Sequence, residues 1–230
     1  MKAVLSFATR SLYLGIITAC ACYLGFRGFR HTDWYKDHLY HQLLTSDPQK
    51  QLHAATALVQ LGAQDQLLEA LKASNPGARV VARKAIEFLW FNAAGDEAYR
   101  LTEKAYKAAE EKKYDEALTI LNELIRTHPN FAEAYNRRAS VYWEMEEYDK
   151  SIIDSEKALQ LNPYHYGALQ GEGVCRLKLG DVGEACRRLR AALKIIPYDQ
   201  TTRNSLKECE QMLRVFPPPR HAPDRSTDWL

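Results

Sequence analysis

Three prolines set the frame for this chain. Pro129, Pro163 and Pro197 stand 34 residues apart. Small residues keep the same step: Ala105, Ala139 and Gly173 form one series, and Ala117, Ser151 and Ala185 another. Leu124, Ala158 and Ala192 follow in register. A fixed period of this length marks a repeat architecture, in which one unit recurs and buries its apolar face against its neighbours. Each period reads as two helices. The small residue of the first helix, Ala139, must approach that of the second, Ser151, for the pair to pack. Leu101, Tyr135, Tyr142 and Leu169 fill the space beside them. Turns are expected at Lys113-Tyr114-Asp115, Glu147-Tyr148-Asp149 and Gly180-Asp181. Proline ends each second helix because it has no N–H to give and disfavours helix in the residue before it.

This pattern resembles the tetratricopeptide repeat over 98–199, with units at 98–131, 132–165 and 166–199. The resemblance implies an all-α, right-handed α-solenoid of antiparallel helix pairs. Residues 200–216 read as a capping helix with Leu206, Cys209, Met212 and Leu213 on one face. Pro217-Pro218-Pro219 stops it, and 217–230 reads as an irregular tail. Two stretches narrow the resemblance: Glu133-Ala134-Tyr135-Asn136, and Asn162-Pro163-Tyr164-His165-Tyr166-Gly167-Ala168-Leu169. They are similar to small tetratricopeptide proteins of bacteria and of organelles of bacterial descent. That similarity implies a fold and a role in protein contacts, and no defined activity.

A second, weaker repeat lies upstream in 32–97. Ser46-Asp47-Pro48 and Ser74-Asn75-Pro76 stand 28 residues apart, and each opens a helical run. Proline is favourable at a first helical position. The pattern is similar to short HEAT repeats, with 64–73 as the second helix of the first unit. The apolar Phe88-Leu89-Trp90-Phe91 joins the two blocks, and no Gly/Ser/Pro-rich linker divides them. One continuous solenoid over roughly 40–215 is the expectation.

The N-terminus differs in character. The formal charge of the chain is +2, and residues 1–46 carry five Lys/Arg against two Asp. Residues 11–26 hold no charged side chain, with Lys2 and Arg10 before them and Arg27 and Arg30 after. Residues 1–31 thus read as a membrane anchor or signal segment, completed if Arg10 snorkels. A cleaved signal peptide, lipidation at Cys20 within Ile17-Thr18-Ala19-Cys20, an organelle-targeting sequence and a buried core helix are the alternatives. The expected location is a bacterial cell membrane, or else a mitochondrial or chloroplast membrane.

Chemistry-bearing motifs are missing from the sequence: no nucleophile elbow, P-loop, dinucleotide fingerprint or His-Glu-x-x-His is present. His38 and His41 share a helix face near Asp37 and His31, but a metal site needs three or four convergent ligands. His165 reads as a turn residue that satisfies backbone groups. The odd cysteine count, five, argues against a disulfide framework. Cys175, Cys186 and Cys209 read as small buried apolar residues. Arg187, Arg188 and Arg190 form a short basic run that reads as a solvated face or a contact for an acidic partner or lipid headgroups.

The reading is a non-enzymatic, membrane-tethered scaffold for protein–protein contact, as an assembly factor or accessory subunit of a membrane complex. It expects a protein partner and the membrane, and no cofactor, metal, nucleic acid or small-molecule substrate. A regulatory or accessory subunit of an enzyme and an RNA-binding helical repeat are the alternatives, although residues 98–230 carry no net charge to favour RNA. Partner binding is expected in a groove lined by Tyr99, Thr102, Tyr106, Glu133, Asn136, Ser140, Trp143 and Gln170, with Val174 beside them. Their spacings of three and four put them on one helix face. Large heat-shock chaperones are gripped in some relatives by Lys and Asn on successive first helices. Here Thr102, Tyr106 and Arg137 stand in those places, so that clamp is not expected.

Overall fold

A computed structural model describes residue 28 and residues 32–215. The proposed anchor at 11–26, the candidate processing site around Cys20 and the tail 217–230 lie outside the described residues. Among the described residues there are eleven helices and no strand. None of these helices is long and apolar enough to cross a membrane. The chain divides into two compact units, 1–86 and 87–230.

In the first unit, α1 (Asp33–Leu43), α2 (Pro48–Gln60) and α3 (Gln64–Ala70) pack together, and α4 (Pro76–Phe91) begins. Proline opens α2 and α4 as the spacing predicted. Asp47 caps α2 by accepting from the Gln49 and Lys50 N–H groups. Asn75 does the same for α4, accepting from Gly77 N–H at 2.9 Å. Its amide also donates to the Thr45 carbonyl at 2.7 Å, which ties the α4 start to the α1–α2 turn. The Arg79 guanidinium donates to the Ala73 and Ser74 carbonyls, both at 2.8 Å. Leu43, Ala54, Leu58 and Leu67 form the fully buried core here. The second helix of the first pair stops at Ala70, three residues short of the predicted end. The boundary between the two units falls inside α4.

The second unit holds the 34-residue repeats. The pairs are α5 (Asp96–Glu110) with α6 (Tyr114–Thr127), α7 (Ala132–Glu144) with α8 (Tyr148–Leu161), and α9 (Tyr166–Lys178) with α10 (Val182–Ile195). α11 (Gln200–Val215) packs on α10 as the predicted cap. Each second helix ends two residues before its proline. The first two turns lie earlier than predicted, since Tyr114 and Tyr148 are already the first helical residues, and the third lies at Gly180-Asp181 as predicted. The reversal is made at Lys112, Glu146 and Gly180, with φ of 60°, 60° and 82°. These three also stand 34 apart, and only the third repeat supplies the glycine that this conformation favours.

The small-residue seam works as the period implies. Ser151 Oγ donates to the Ala139 carbonyl at 2.8 Å, and Cys175 Sγ donates to Ser151 Oγ at 3.2 Å. In the third repeat the seam residue is Gly173, where a Cβ would meet Leu189 Cγ at 2.8 Å. Ion pairs tie the two helices of a repeat together. Arg138 forks onto Asp154 at 2.6 and 2.7 Å and reaches Asn122 at 2.7 Å. One period on, the polarity is reversed: the fully buried Glu172 faces Arg176 at 2.7 Å and Arg188 at 3.0 Å. The basic run is spent in such pairs. Arg187 and Arg188 both engage Glu184 within α10, Arg188 also reaches Glu172 of α9, and Arg190 engages Glu210 of α11.

Candidate functional site

The first helices α5, α7 and α9 line a cleft of about 660 Å³ in the second unit, and Thr201 of α11 joins them. Its wall includes Ala105, Ala139, Gly167 and Gly171, where short side chains leave room. Five of the eight nominated residues line it: Tyr106, Asn136, Ser140, Trp143 and Gln170; Val174 does as well. Asn136 and Gln170 occupy the same place in successive repeats, one period apart. Both present an amide with donors and an acceptor. Tyr106 is 43% exposed, and its phenol is pushed up by the hydrogen bond it gives to the Glu110 carboxylate. Trp143 is half-buried against Tyr148, with ring centroids 5.2 Å apart. Ser155 also lines the cleft; it is buried, and its Oγ has no hydrogen-bond partner.

Three nominated residues do not line the cleft. Thr102 is fully buried, and its Oγ1 donates to the Ala98 carbonyl at 2.8 Å in its own helix. Tyr99 sits edge-on to Phe91 with centroids 6.2 Å apart. Glu133 is buried: one carboxylate oxygen accepts from Arg137 Nε at 2.6 Å and the other from His165 Nε2 at 2.8 Å. His165 Nδ1 faces the Ala168 N–H at 3.2 Å and must accept there. The ring proton therefore belongs on Nε2, which donates to Glu133. His165 thus satisfies a backbone group, as the sequence suggested, and also joins two repeats. Burial pushes the Glu133 carboxyl up, but His165 and Arg137 outweigh it and hold the group below the ordinary carboxylate value.

Aromatic residues from the end of α4 close over this cluster. Trp90 stacks on His165 with centroids 4.9 Å apart, and Tyr166 donates to the Glu87 carboxylate at 2.7 Å. The Arg137 guanidinium lies 4.5 Å over the Phe91 ring and 5.6 Å from Tyr106. Of the predicted joining segment, Trp90 is buried and Phe88 is exposed. Sequence reasoning missed this cluster. The one local signal was Glu133–Arg137, an acid and a base four apart on a helix; the partner 32 residues on had none.

Charge in the cleft is balanced, with Glu110 and Glu144 against Lys112 and Arg137. The cleft therefore offers amides, hydroxyls and apolar surface rather than net charge. Among the described residues no group of three or more His, Cys, Asp or Glu is placed to hold a metal ion.

Comparison with known proteins agrees with the architecture. The tetratricopeptide repeat family matches residues 132–165, the central repeat. The chain is 31% identical over 150 residues to a TPR repeat-containing protein of Rhizobium etli, covering 65% of this chain and 74% of that protein. It is 26% identical over 111 residues to the Hsp70-Hsp90 organizing protein of Triticum aestivum, covering 48% of this chain and 19% of that one. Among solved structures it is similar to the first TPR domain of Spaghetti (RPAP3) bound to the HSP90 peptide SRMEEVD. The TM-score there is 0.49 at 26% identity, over 50% of this chain and 90% of the other. The period, the stacked helix pairs and the bacterial relative lead to one assignment: the chain belongs to the tetratricopeptide repeat family.

Proposed function

We propose that this protein is a scaffold that takes an extended segment of a partner protein into the cleft between α5, α7 and α9. The observation that carries the reading is the pairing of Asn136 and Gln170 one period apart, beside the unpartnered Ser155 Oγ, in a cleft rimmed by Tyr106 and Trp143. An extended backbone offers polar groups at regular intervals, and buried polar groups need partners. Aromatic residues at such a rim are the usual anchors of binding energy. The proposal includes tethering to a membrane through residues 11–26, at a bacterial or organellar membrane, and a short HEAT-like character for the helices before residue 87. The uncharged run and the two proline-initiated helices support these parts.

The test is co-purification after mild detergent extraction, with partners identified by mass spectrometry. Asn136→Ala and Gln170→Ala should keep the wild-type melting profile and lose the partner. Trp143→Ala is the poorer probe, because that ring also packs on Tyr148. Retention of every partner by both amide variants would move the interface off the cleft. Because the cleft charges balance, partner retention should change less than about threefold between 0.05 and 0.5 M salt, where exposed ion pairs would be screened. The SRMEEVD peptide of the RPAP3 complex should bind weakly. Thr102 is buried and Arg137 is already held by Glu133, so its carboxylates meet no free pair of cations. Micromolar binding of that peptide would overturn this part of the proposal.

A further inference from the structure

The second unit contains a thiol pair that the scaffold role does not use. Cys186 stands nine residues before Ile195, the last of α10, and Cys209 nine residues after Gln200, the first of α11. In an antiparallel hairpin of helices, equal distances from the turn put two residues opposite each other. The contacts agree. Both cysteines are fully buried in one cluster with Ala185 and Leu189. Cys209 Sγ also lies 3.9 Å from the Val182 carbonyl. That carbonyl is one helical turn before Cys186, so Cys209 rests against the turn that carries its counterpart. Neither cysteine is in a disulfide.

We propose that Cys186 and Cys209 are a thiol–disulfide site that reacts with low-molecular-weight disulfides such as oxidised glutathione and then staples α11 to α10. One cysteine, as thiolate, attacks the small disulfide, forming a mixed disulfide and releasing one small thiolate. The second protein thiolate attacks the protein sulfur of that mixed disulfide and releases the other. The two protein thiols are oxidised to one S–S bond, the small disulfide is reduced to two thiols, and the two protons end on those thiols. Burial pushes the Cys209 thiol up to about 12, so little thiolate exists while α11 is docked. Reaction proceeds through local undocking of α11, the terminal element of this unit among the described residues, and terminal elements open at lowest cost. The bond would fix Thr201, the α11 residue in the cleft wall, and so couple redox state to the cleft.

The test incubates the full chain in glutathione buffers of increasing oxidised-to-reduced ratio, followed by alkylation, trypsin and mass spectrometry. The expected product joins peptide 179–187 to peptide 208–214, two hydrogens lighter than the pair. Cys175, bonded to Ser151, should stay reduced and serves as the reference. Amide exchange across α11 should slow at least about tenfold in the oxidised protein, as local opening is suppressed. Cys186→Ala and Cys209→Ala should each abolish the joined peptide; the wild-type mapping stands even if either fails to fold. Glutathione adducts without the joined peptide, a bond involving Cys175, or thiols unchanged in fully oxidised buffer would each overturn the proposal.

Discussion

Gly171 and Gly173 lie two residues apart in α9, and alanine at each should act with opposite sign. Both substitutions gain the same backbone term, since glycine inside a helix costs roughly 0.5–1 kcal/mol relative to alanine. What the new methyl meets decides the rest. At Gly171 the nearest atom would be Ser155 Oγ at 3.8 Å, an ordinary contact. At Gly173 it would meet Leu189 Cγ at 2.8 Å and Cδ2 at 3.0 Å, with the Ala185 carbonyl oxygen at 3.4 Å. Leu189 is fully buried between α10 and its neighbours and has little room to give. Overpacking of this kind costs about 1–3 kcal/mol. Gly173→Ala is therefore expected to lose about 1 kcal/mol net, and Gly171→Ala to gain up to about 1 kcal/mol. Melting by far-UV circular dichroism should place one variant about 2–4 °C below wild type and the other slightly above it. In a Leu189→Ala background, which removes the obstructing atoms, Gly173→Ala should turn neutral or stabilising, a coupling that a double-mutant cycle reads directly. An unchanged or raised melting temperature for the single Gly173→Ala variant would refute the seam as described.

The ionic contacts give further expectations. Glu133 has its folded value below the ordinary carboxylate value, so its stabilisation is present above about pH 4.3 and lost as pH falls through the lower folded value. In urea titrations from pH 7 to 3, Glu133→Gln should lose stability at pH 7 and flatten the acid limb. Glu172 goes the other way: burial pushes its carboxyl up despite Arg188 and Arg176. Its charge costs stability at neutral pH, a cost relieved as pH falls through the raised value, so Glu172→Gln should be milder than Glu133→Gln in the same titrations. Arg138→Met leaves the buried Asp154 carboxylate without its fork and should cost about 3–5 kcal/mol, whereas Arg138→Met with Asp154→Leu should recover most of it in denaturant melts.

The repeat was legible because it rests on short-range rules. Proline ends a helix wherever it falls, and a 34-residue recurrence of Pro129, Pro163 and Pro197 fixes the register of everything between. Ala139 and Ser151 could be paired from that register alone, and Ser151 does bond to the Ala139 carbonyl. The groove was legible only in part. Helical spacing places Tyr106, Asn136 and Ser140 on one face, but it cannot tell that Thr102 folds its hydroxyl back onto Ala98. Nor can it tell that Glu133, a charged residue, is buried and accepts hydrogen bonds from both Arg137 and His165. The burial of Thr102 and the His165 partner of Glu133, 32 residues on, depend on how the helices pack, which no local pattern encodes. Of the arginines at 187, 188 and 190, the last shows the same limit, since its acid Glu210 lies on α11, whereas Arg187 and Arg188 have Glu184 three and four residues away on their own helix.

The central claim is that a partner segment lies in the cleft of α5, α7 and α9. Its most direct measurement is photo-cross-linking from single sites in the full-length protein, with a benzophenone amino acid at Ser140 or at Ile153. Ser140 is exposed and lines the cleft, whereas Ile153 is 64% exposed on α8 and does not. A partner in the cleft gives a cross-linked peptide from Ser140 that disappears with Asn136→Ala, and none from Ile153. The same partner captured from Ile153 and not from Ser140 would contradict it.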